Sequence, residues 1–401
     1  MAAEMIVTPS RRAPTAAPVV DADLYSDDVL ADSRGLFARI RHAGPVVWLP
    51  RHRMYAIGRF ADVRAALRDD THFRSGDGVA ANALVNRLGR HTTLSSDDEV
   101  HTARRRVLMR SLGAKAVAAI EEPLAHEAAA VVGELLGRAY FDAASDFASR
   151  LPTRVVSELV GVDGSSDRLL RWAAATFEVL GPINRRGLRA VPRSLGLLLY
   201  SRRLRPGGVA SGSWAASVFD AQRAGELTFE EAKALVIDFV APSLDTTILA
   251  STHLLWTLAR HPDAWTEIRA DPALTPAAVV ENVRIASPIR AFTRQLAADH
   301  EIDGITLPAG ARVALLFGAA NLDETHFPDP ERFDLHRSNG QHVGWGNGPH
   351  TCVGIHLAKL EMRLLLDAMV PRVDRIVAGT PGRLRNNTLQ GIDRLPVRFV
   401  A

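Results

Sequence analysis

The chain has 401 residues, 47% of them hydrophobic, 23% charged and 6% aromatic, which is enough apolar material for a large buried core. Its 48 basic and 45 acidic residues nearly balance, and with lysine only at Lys115, Lys233 and Lys359 the positive charge is arginine scattered among acids, not the basic stripe of a nucleic-acid-binding protein. One cysteine excludes an internal disulfide and suits a reducing cytoplasm, and no apolar run approaches the roughly 20 residues that span a membrane.

Residues 1–20 mix Arg11, Arg12 and several prolines without a continuous apolar segment, so a flexible tail is expected rather than a signal peptide, followed by a single domain over 21–401. Ala22 to Gly44 reads as a helix stopped by Gly44-Pro45. Val46 to Gly58 alternates apolar and polar residues as a hairpin does, and Ala61 to Leu67 is helical again. Ser75 to Asp98 is rich in Gly, Asn and small residues and reads as a long irregular loop. Asp97, Asp98 and Glu99 then supply the acids of a helix start, and His101 and Arg105 share a face of that helix. Taken alone, a solvated basic helix satisfies the pattern, with Arg104, Arg106 and Arg110 turned to solvent.

Ala116 to Leu136, Ala144 to Val160 and Arg168 to Val179 all carry helical spacing. Thr228-Phe229-Glu230-Glu231 is a capping-box pattern opening a helix with no stop before His261-Pro262, about 32 residues and roughly 48 Å long. Inside it, Pro242 removes a backbone donor and bends the axis, Ser243 competes for a freed carbonyl, and Asp245-Thr246-Thr247 follows. By themselves those polar residues fit a patch where helices meet. Glu281 and Arg284 are spaced as an ordinary ion pair, and Ser287 to Arg294 reads as a strand-like segment.

The only cysteine lies in His342-Val343-Gly344-Trp345-Gly346-Asn347-Gly348-Pro349-His350-Thr351-Cys352-Val353-Gly354, where glycines and a proline favour a compact turn lying close against something flat. Ala358, Met362, Leu365 and Met369 then form the apolar stripe of a buried helix. A thiol at that helix start meets free N–H groups and the positive dipole end, which favour the thiolate and metal binding. A lone cysteine is also commonly a small buried hydrophobe. Zinc would need further ligands, usually paired cysteines, and His350 is poorly placed as the partner of a nucleophile.

The run from Trp345 to Gly354 resembles the haem-binding loop of cytochrome P450 enzymes, with Trp345 where Phe is usual. Three further stretches resemble that family in order and spacing. They are His101 with Arg105, Ala241-Pro242-Ser243-Leu244-Asp245-Thr246-Thr247, and Glu281 with Arg284 followed by Phe327-Pro328-Asp329-Pro330-Glu331-Arg332-Phe333. The resemblance implies a mainly α fold with small β-sheets, a triangular prism holding haem b between the long central helix and the helix after the cysteine loop. It implies Cys352 as the iron ligand, His101, Arg105, Arg294 and His350 as further haem contacts, and Glu281, Arg284 and Arg332 as a brace behind the haem. Asp245 and Thr246 would deliver protons during dioxygen activation, although Pro242 and Ser243 replace the usual Ala-Gly of the groove. Arg90, Val240, Ser243, Ile289, Phe292, Leu389 and Gln390 would line the substrate pocket.

The same resemblance implies a cytoplasmic monooxygenase of bacterial secondary metabolism, a monomer with no nucleic-acid or membrane partner, supplied with electrons by a ferredoxin and its reductase. Several stretches, among them Gly181-Pro182-Ile183-Asn184, resemble the subgroup that oxidises small aromatic acids, for which Arg90 would be the anion anchor. Ile237 and Asp238 stand where that subgroup carries carboxylate contacts, and a buried Asp repels an acid. The expected substrate is therefore a neutral, fairly bulky aromatic natural product such as a tryptophan-containing cyclic dipeptide. It would be hydroxylated or, as the alternative that Pro242 and Ser243 leave open, coupled through radicals. A haem-binding sensor that never turns over would not need Asp245 and Thr246.

Overall fold

A computed structural model describes residues 16–162, 166–337 and 341–401. The greater part of the expected tail, residues 1–15, lies outside the described residues. Packing begins before residue 21, because Ala17 and Val20 are buried, Trp48 N donates to Pro18 O at 2.8 Å and Val20 N donates to Trp48 O at 3.0 Å.

The first expected helix is divided into Asp27–Ala31 and Arg34–Ala43. Asp32 Oδ1 takes the backbone N–H of Arg34 at 3.1 Å, a local bond that competes with the helical ladder. The hairpin Val47–Leu49 and Met54–Ile57 pairs Trp48 with Tyr55, and joins Arg312–Leu315, Phe292–Leu296 and Phe73–Arg74 in a five-stranded sheet. Among the described residues there are three smaller sheets of two or three strands. The loop expected from Ser75 to Asp98 contains a short helix, Ala83–Gly89, which Asn82 caps by accepting from Val85 N at 3.0 Å.

Ala144 to Val160, read as one helix, is a π-helix at Ala143–Ala148, an α-helix at Arg150–Arg154 and a second π-helix at Val155–Val160. Pro152 has no N–H to give, so the ladder shifts around it.

Phe229–Arg260 is a continuous 32-residue helix opened by the full capping box of Thr228 and Glu231. Leu235, Val236, Phe239, Leu244, Leu254 and Leu258 bury it in the largest apolar cluster. It is long and apolar enough to cross a membrane, yet 61% of its apolar window is buried inside the protein, as in a core helix. Ile355–Met369 packs alongside, burying Ala358, Met362, Leu365 and Met369, the stripe read from the sequence. Between these two helices the chain leaves a cavity.

Candidate active site

The cavity has a volume of about 200 Å³, and the cysteine loop is its floor. Gly346 and Gly348 hold φ at +72° and +69°, and a Cβ on Gly348 would stand 2.6 Å from Leu67 O, so only glycine lets the loop lie this close to its neighbour. Cys352 N donates to Trp345 O at 2.8 Å, closing the turn with the sulfur facing the cavity. Burial pushes the thiol up, outweighing the Gly354 N–H and Arg105, which both pull it down. The helix begins at Ile355, just after the cysteine as expected, and its favourable pull is felt through the Gly354 N–H, but burial outweighs it, so a bound cation would have to take the place of the proton.

Four basic side chains rim this floor. The His101 ring lies 4.1 Å from that of His350, and burial with the neighbouring His350 and Arg105 lowers its pKa to about 4. Arg105 donates to Thr351 O at 2.7 Å. Arg294 is buried, donates to the carbonyl of Thr293 at 2.8 Å with no acid paired to it among the described residues, and is lowered to about 10 by burial. The acid nearest to these groups is already engaged. Asp97 accepts from Ser75 N and Gly76 N at 3.0 and 2.8 Å, and stands 3.6 Å from His350 Nε2. Burial alone would raise Asp97, but His350, those two N–H groups and Arg74 hold it near 2. His101 Nε2, His350 Nε2 and Trp345 Nε1 are buried without a hydrogen-bond partner. Orphaned donors and unpaired guanidinium groups around an apolar slot fit a flat apolar group edged with carboxylates, with the thiol offered to a metal at its centre.

The long helix forms the opposite wall through Asp238, Pro242, Thr246, Thr247 and Ala250. Thr246 Oγ1 donates to Pro242 O at 2.7 Å, and the Ser243 hydroxyl donates back to Phe239 O. The carbonyl freed by Pro242 belongs to Asp238, so Ser243 takes a different one from that expected. Asp245 does not line the cavity; its Oδ2 is buried without a partner, and burial raises the carboxyl to about 7.

The family model described as "Cytochrome P450" matches residues 215–376. The chain is 33% identical to cytochrome p450 CYP199A2 of Rhodopseudomonas palustris, across 98% of this chain and 97% of that protein. The chain is a cytochrome P450. The linalool 8-monooxygenase of Pseudomonas putida is 29% identical over 94% of this P450 and 97% of its own length. The solved Mycobacterium marinum cytochrome P450 CYP268A2 in complex with pseudoionone matches with a TM-score of 0.85 and 28% identity, covering 96% of this P450 and 100% of that chain. As a member of the family this P450 is a haem b monooxygenase, mainly helical with small sheets.

Of the residues expected to line the pocket, Ile289 and Phe292 reach the cavity and the others do not. Arg90 is exposed, its Nε directed at His91 Nε2, because Arg104 holds the Arg90 carbonyl at 3.0 Å and turns the side chain outward. Val240 is buried in the main core, and Ser243 spends its hydroxyl on the backbone. Leu389 lies a layer back, packed with Phe177 and Leu249 behind Ile289 and Phe292. Gln390 ties Ser33 to Ala286 O at 2.9 and 3.1 Å, leaving no polar atom for a ligand. Phe177, Phe317, Thr93 and Leu94 take the vacated places. Phe177 and Phe317 gave no signal beyond apolar residues in a helix and after a strand, whereas Asp238 was marked by its charge within an apolar helix.

Two further placements differ from expectation. Arg104, expected in solvent, is buried and paired with Glu231 at 2.9 Å, fastening the Asp98–Leu112 helix to the start of the long helix. In the brace, Glu281 pairs with Arg284 at 2.7 Å and with Arg337 at 2.9 Å. Arg332 is exposed and gives only its carbonyl, to both arginines, because Asp329 at φ +47° turns the chain there and aims the Arg332 side chain out.

Proposed function

We propose that this P450 is a cytoplasmic enzyme of bacterial secondary metabolism that takes electrons from a separate ferredoxin and its reductase and oxidises a neutral, predominantly aromatic small molecule. The observation that carries the substrate class is the character of the wall away from the cysteine loop. Phe177, Phe292, Phe317, Ile289 and Leu94 surround a single ionisable group, Asp238, which accepts from Thr93 N at 2.7 Å. Burial raises Asp238 to about 6. Among the described residues lining the cavity, the basic groups all lie on the floor side, where no substrate acid can use them once the cofactor is in place. A ring of aromatics with one hydrogen-bond acceptor suits a carboxylate-free aromatic carrying an N–H or O–H donor.

Haem b, when bound, supplies the oxygen-activating chemistry. Cys352 would hold it from the floor and His101, Arg105, Arg294 and His350 would bind its carboxylates, while Glu281 with Arg284 and Arg337 fixes the segment behind the loop. The apolar wall excludes bulk water. Thr246, held by Pro242 O, presents a hydroxyl to the cavity, and Asp245 behind it keeps a proton available near neutral pH. Retention of that pair supports turnover over a sensor role, and the fixed Thr246 supports oxygen insertion over radical coupling.

A spectral-shift screen tests the substrate class. Neutral indoles and phenols should displace the low-spin spectrum of the ferric protein, isosteric benzoates should not, and Asp238→Ser should admit the benzoates with a gain of tenfold or more, about 1.4 kcal/mol. Preference of the unaltered protein for benzoates would overturn the reading. Product analysis with a surrogate ferredoxin then separates hydroxylation from coupling and from no turnover.

A further inference from the structure

The helix Arg185–Arg203 presents an unusual face. Its inner side is small: Gly187, Ala190 and Leu197 are buried, Ser194 Oγ donates to Ala175 O at 3.0 Å, and a Cβ on Gly196 would stand 2.8 Å from Trp172 Nε1. Its outer side carries Leu188, Val191, Leu195 and Leu199, at i, i+3, i+7 and i+11, with exposures of 60%, 47%, 48% and 44%. Arg185, Arg189, Arg193 and Arg203 run beside this stripe and make no ion pair among the described residues. No acidic residue occurs anywhere from Val179 to Phe219.

The patch extends beyond this helix. Ala81 N donates to Leu180 O at 2.7 Å and Asn82 Nδ2 to Gly181 O at 2.7 Å, which docks the Ala83–Gly89 helix on the turn before Arg185. Leu84 and Leu88 on it, and Ile183 in the turn, are exposed by 61%, 51% and 71%. Seven of the ten large hydrophobics exposed among the described residues therefore belong to this one region. Scattered exposed leucines need no explanation, but a stripe flanked by unpaired arginines does.

We propose that this face binds peripherally to membranes bearing anionic lipids, its leucines entering the headgroup boundary and its arginines pairing with lipid phosphates. Charge complementarity selects this occupant: an apolar stripe beside a basic row with no acid in the sequence is the pattern of a helix lying in a charged bilayer surface. The helix is about 28 Å long, enough for all four apolar side chains of the stripe to engage at once. No segment needs to cross the bilayer for this contact. Leu180 packs against Phe177, which lines the substrate cavity, so the face lies next to the wall through which an apolar substrate dissolved in lipid would arrive.

Vesicle sedimentation with the holoprotein tests the proposal. Vesicles of phosphatidylcholine with about 30% phosphatidylglycerol should bind it, and phosphatidylcholine alone should bind it at least tenfold more weakly. Binding should fall by a similar factor in about 0.5 M salt or in the double variant Arg189→Glu with Arg193→Glu. Leu188→Ser with Leu195→Ser should abolish what remains at high salt. The haem spectrum of each variant reports that it is folded, and the substrate-shift spectra stay unchanged, which keeps this result independent of which substrate the cavity takes. No binding to anionic vesicles, equal binding by the double variants, or self-association that Leu188→Ser with Leu195→Ser removes would each overturn it.

Discussion

At the scale of single residues, burial moves the titration of the acids that no base meets. Asp245 is the sharpest case, because an aspartate in the unfolded chain titrates near 3.8 whereas burial holds this one at about 7. The folded protein thus keeps a proton that the unfolded chain releases. Its contribution is fully present below pH 4 and lost as pH rises through about 7, with a ceiling near 4 kcal/mol. Asp245→Asn should flatten that slope in denaturant titrations between about pH 4 and pH 8, and an unchanged slope would deny the burial its effect. Thr246 predicts a different readout. Its hydroxyl lies beside Pro242 in the wall that the long helix gives the cavity. Thr246→Ala should leave NADH consumption within about twofold of the original while product per NADH falls several-fold, as expected when proton delivery and not binding is damaged.

At the scale of elements, the helices were legible where periodicity and capping agreed. Thr228 to Arg260 was readable to the residue, because its box is a local signature and it has no internal stop except Pro242, whose neighbours Ser243 and Thr246 supply compensating hydroxyl bonds. The Cys352 loop and the His101–Arg105 face were legible only through their resemblance to the family's motifs, since by themselves a buried cysteine and a solvated basic helix satisfied the same residues. What stayed hidden depends on long-range partners. Arg104 has the same sequence surroundings as Arg106, yet it is buried because Glu231, 127 positions away, meets it. Arg337 closes on Glu281 across 56 positions, and no spacing rule connects them. Gln390 looked like a pocket residue until Ser33 and Ala286 claimed its amide. The brace yields a prediction on this scale. Glu281 is the one carboxylate between the buried Arg284 and the largely buried Arg337 guanidinium, and Arg284 also lies 5.0 Å over the Phe327 ring. Glu281→Ala leaves these charges without a counter-ion, a loss of about 3–5 kcal/mol. Urea unfolding should show it, with haem retention falling in parallel, whereas Arg332→Ala should cost under about 1 kcal/mol because only its carbonyl takes part.

At the scale of the whole molecule, a formal charge of +3 conceals two different arginine-bearing surfaces. One is the leucine-edged face of Arg185–Arg203; the other lies on the cysteine side, where Arg106 is exposed beside Pro349 of the haem-binding loop. The second, where Asp70, Asp98 and Glu99 also stand, is the shorter route to Cys352, and we propose it as the docking place of the electron donor. Steering by exposed charges acts over about 10 Å at 0.1 M salt and shrinks to about 3 Å at 1 M. Ferredoxin-driven reduction should therefore slow several-fold between about 0.05 and 0.5 M salt, while reduction by dithionite, a small reagent needing no docking face, should change little. Arg106→Glu should reproduce the high-salt rate at low salt through the second-order rate constant, with the saturated rate kept, because a rim charge governs encounter more than the docked geometry. The Arg189→Glu, Arg193→Glu variant is the internal control. If it slows reduction as much as Arg106→Glu does, the donor approaches from the leucine-edged side and the cysteine-side assignment fails; if it leaves reduction untouched, the two arginine surfaces serve separate partners.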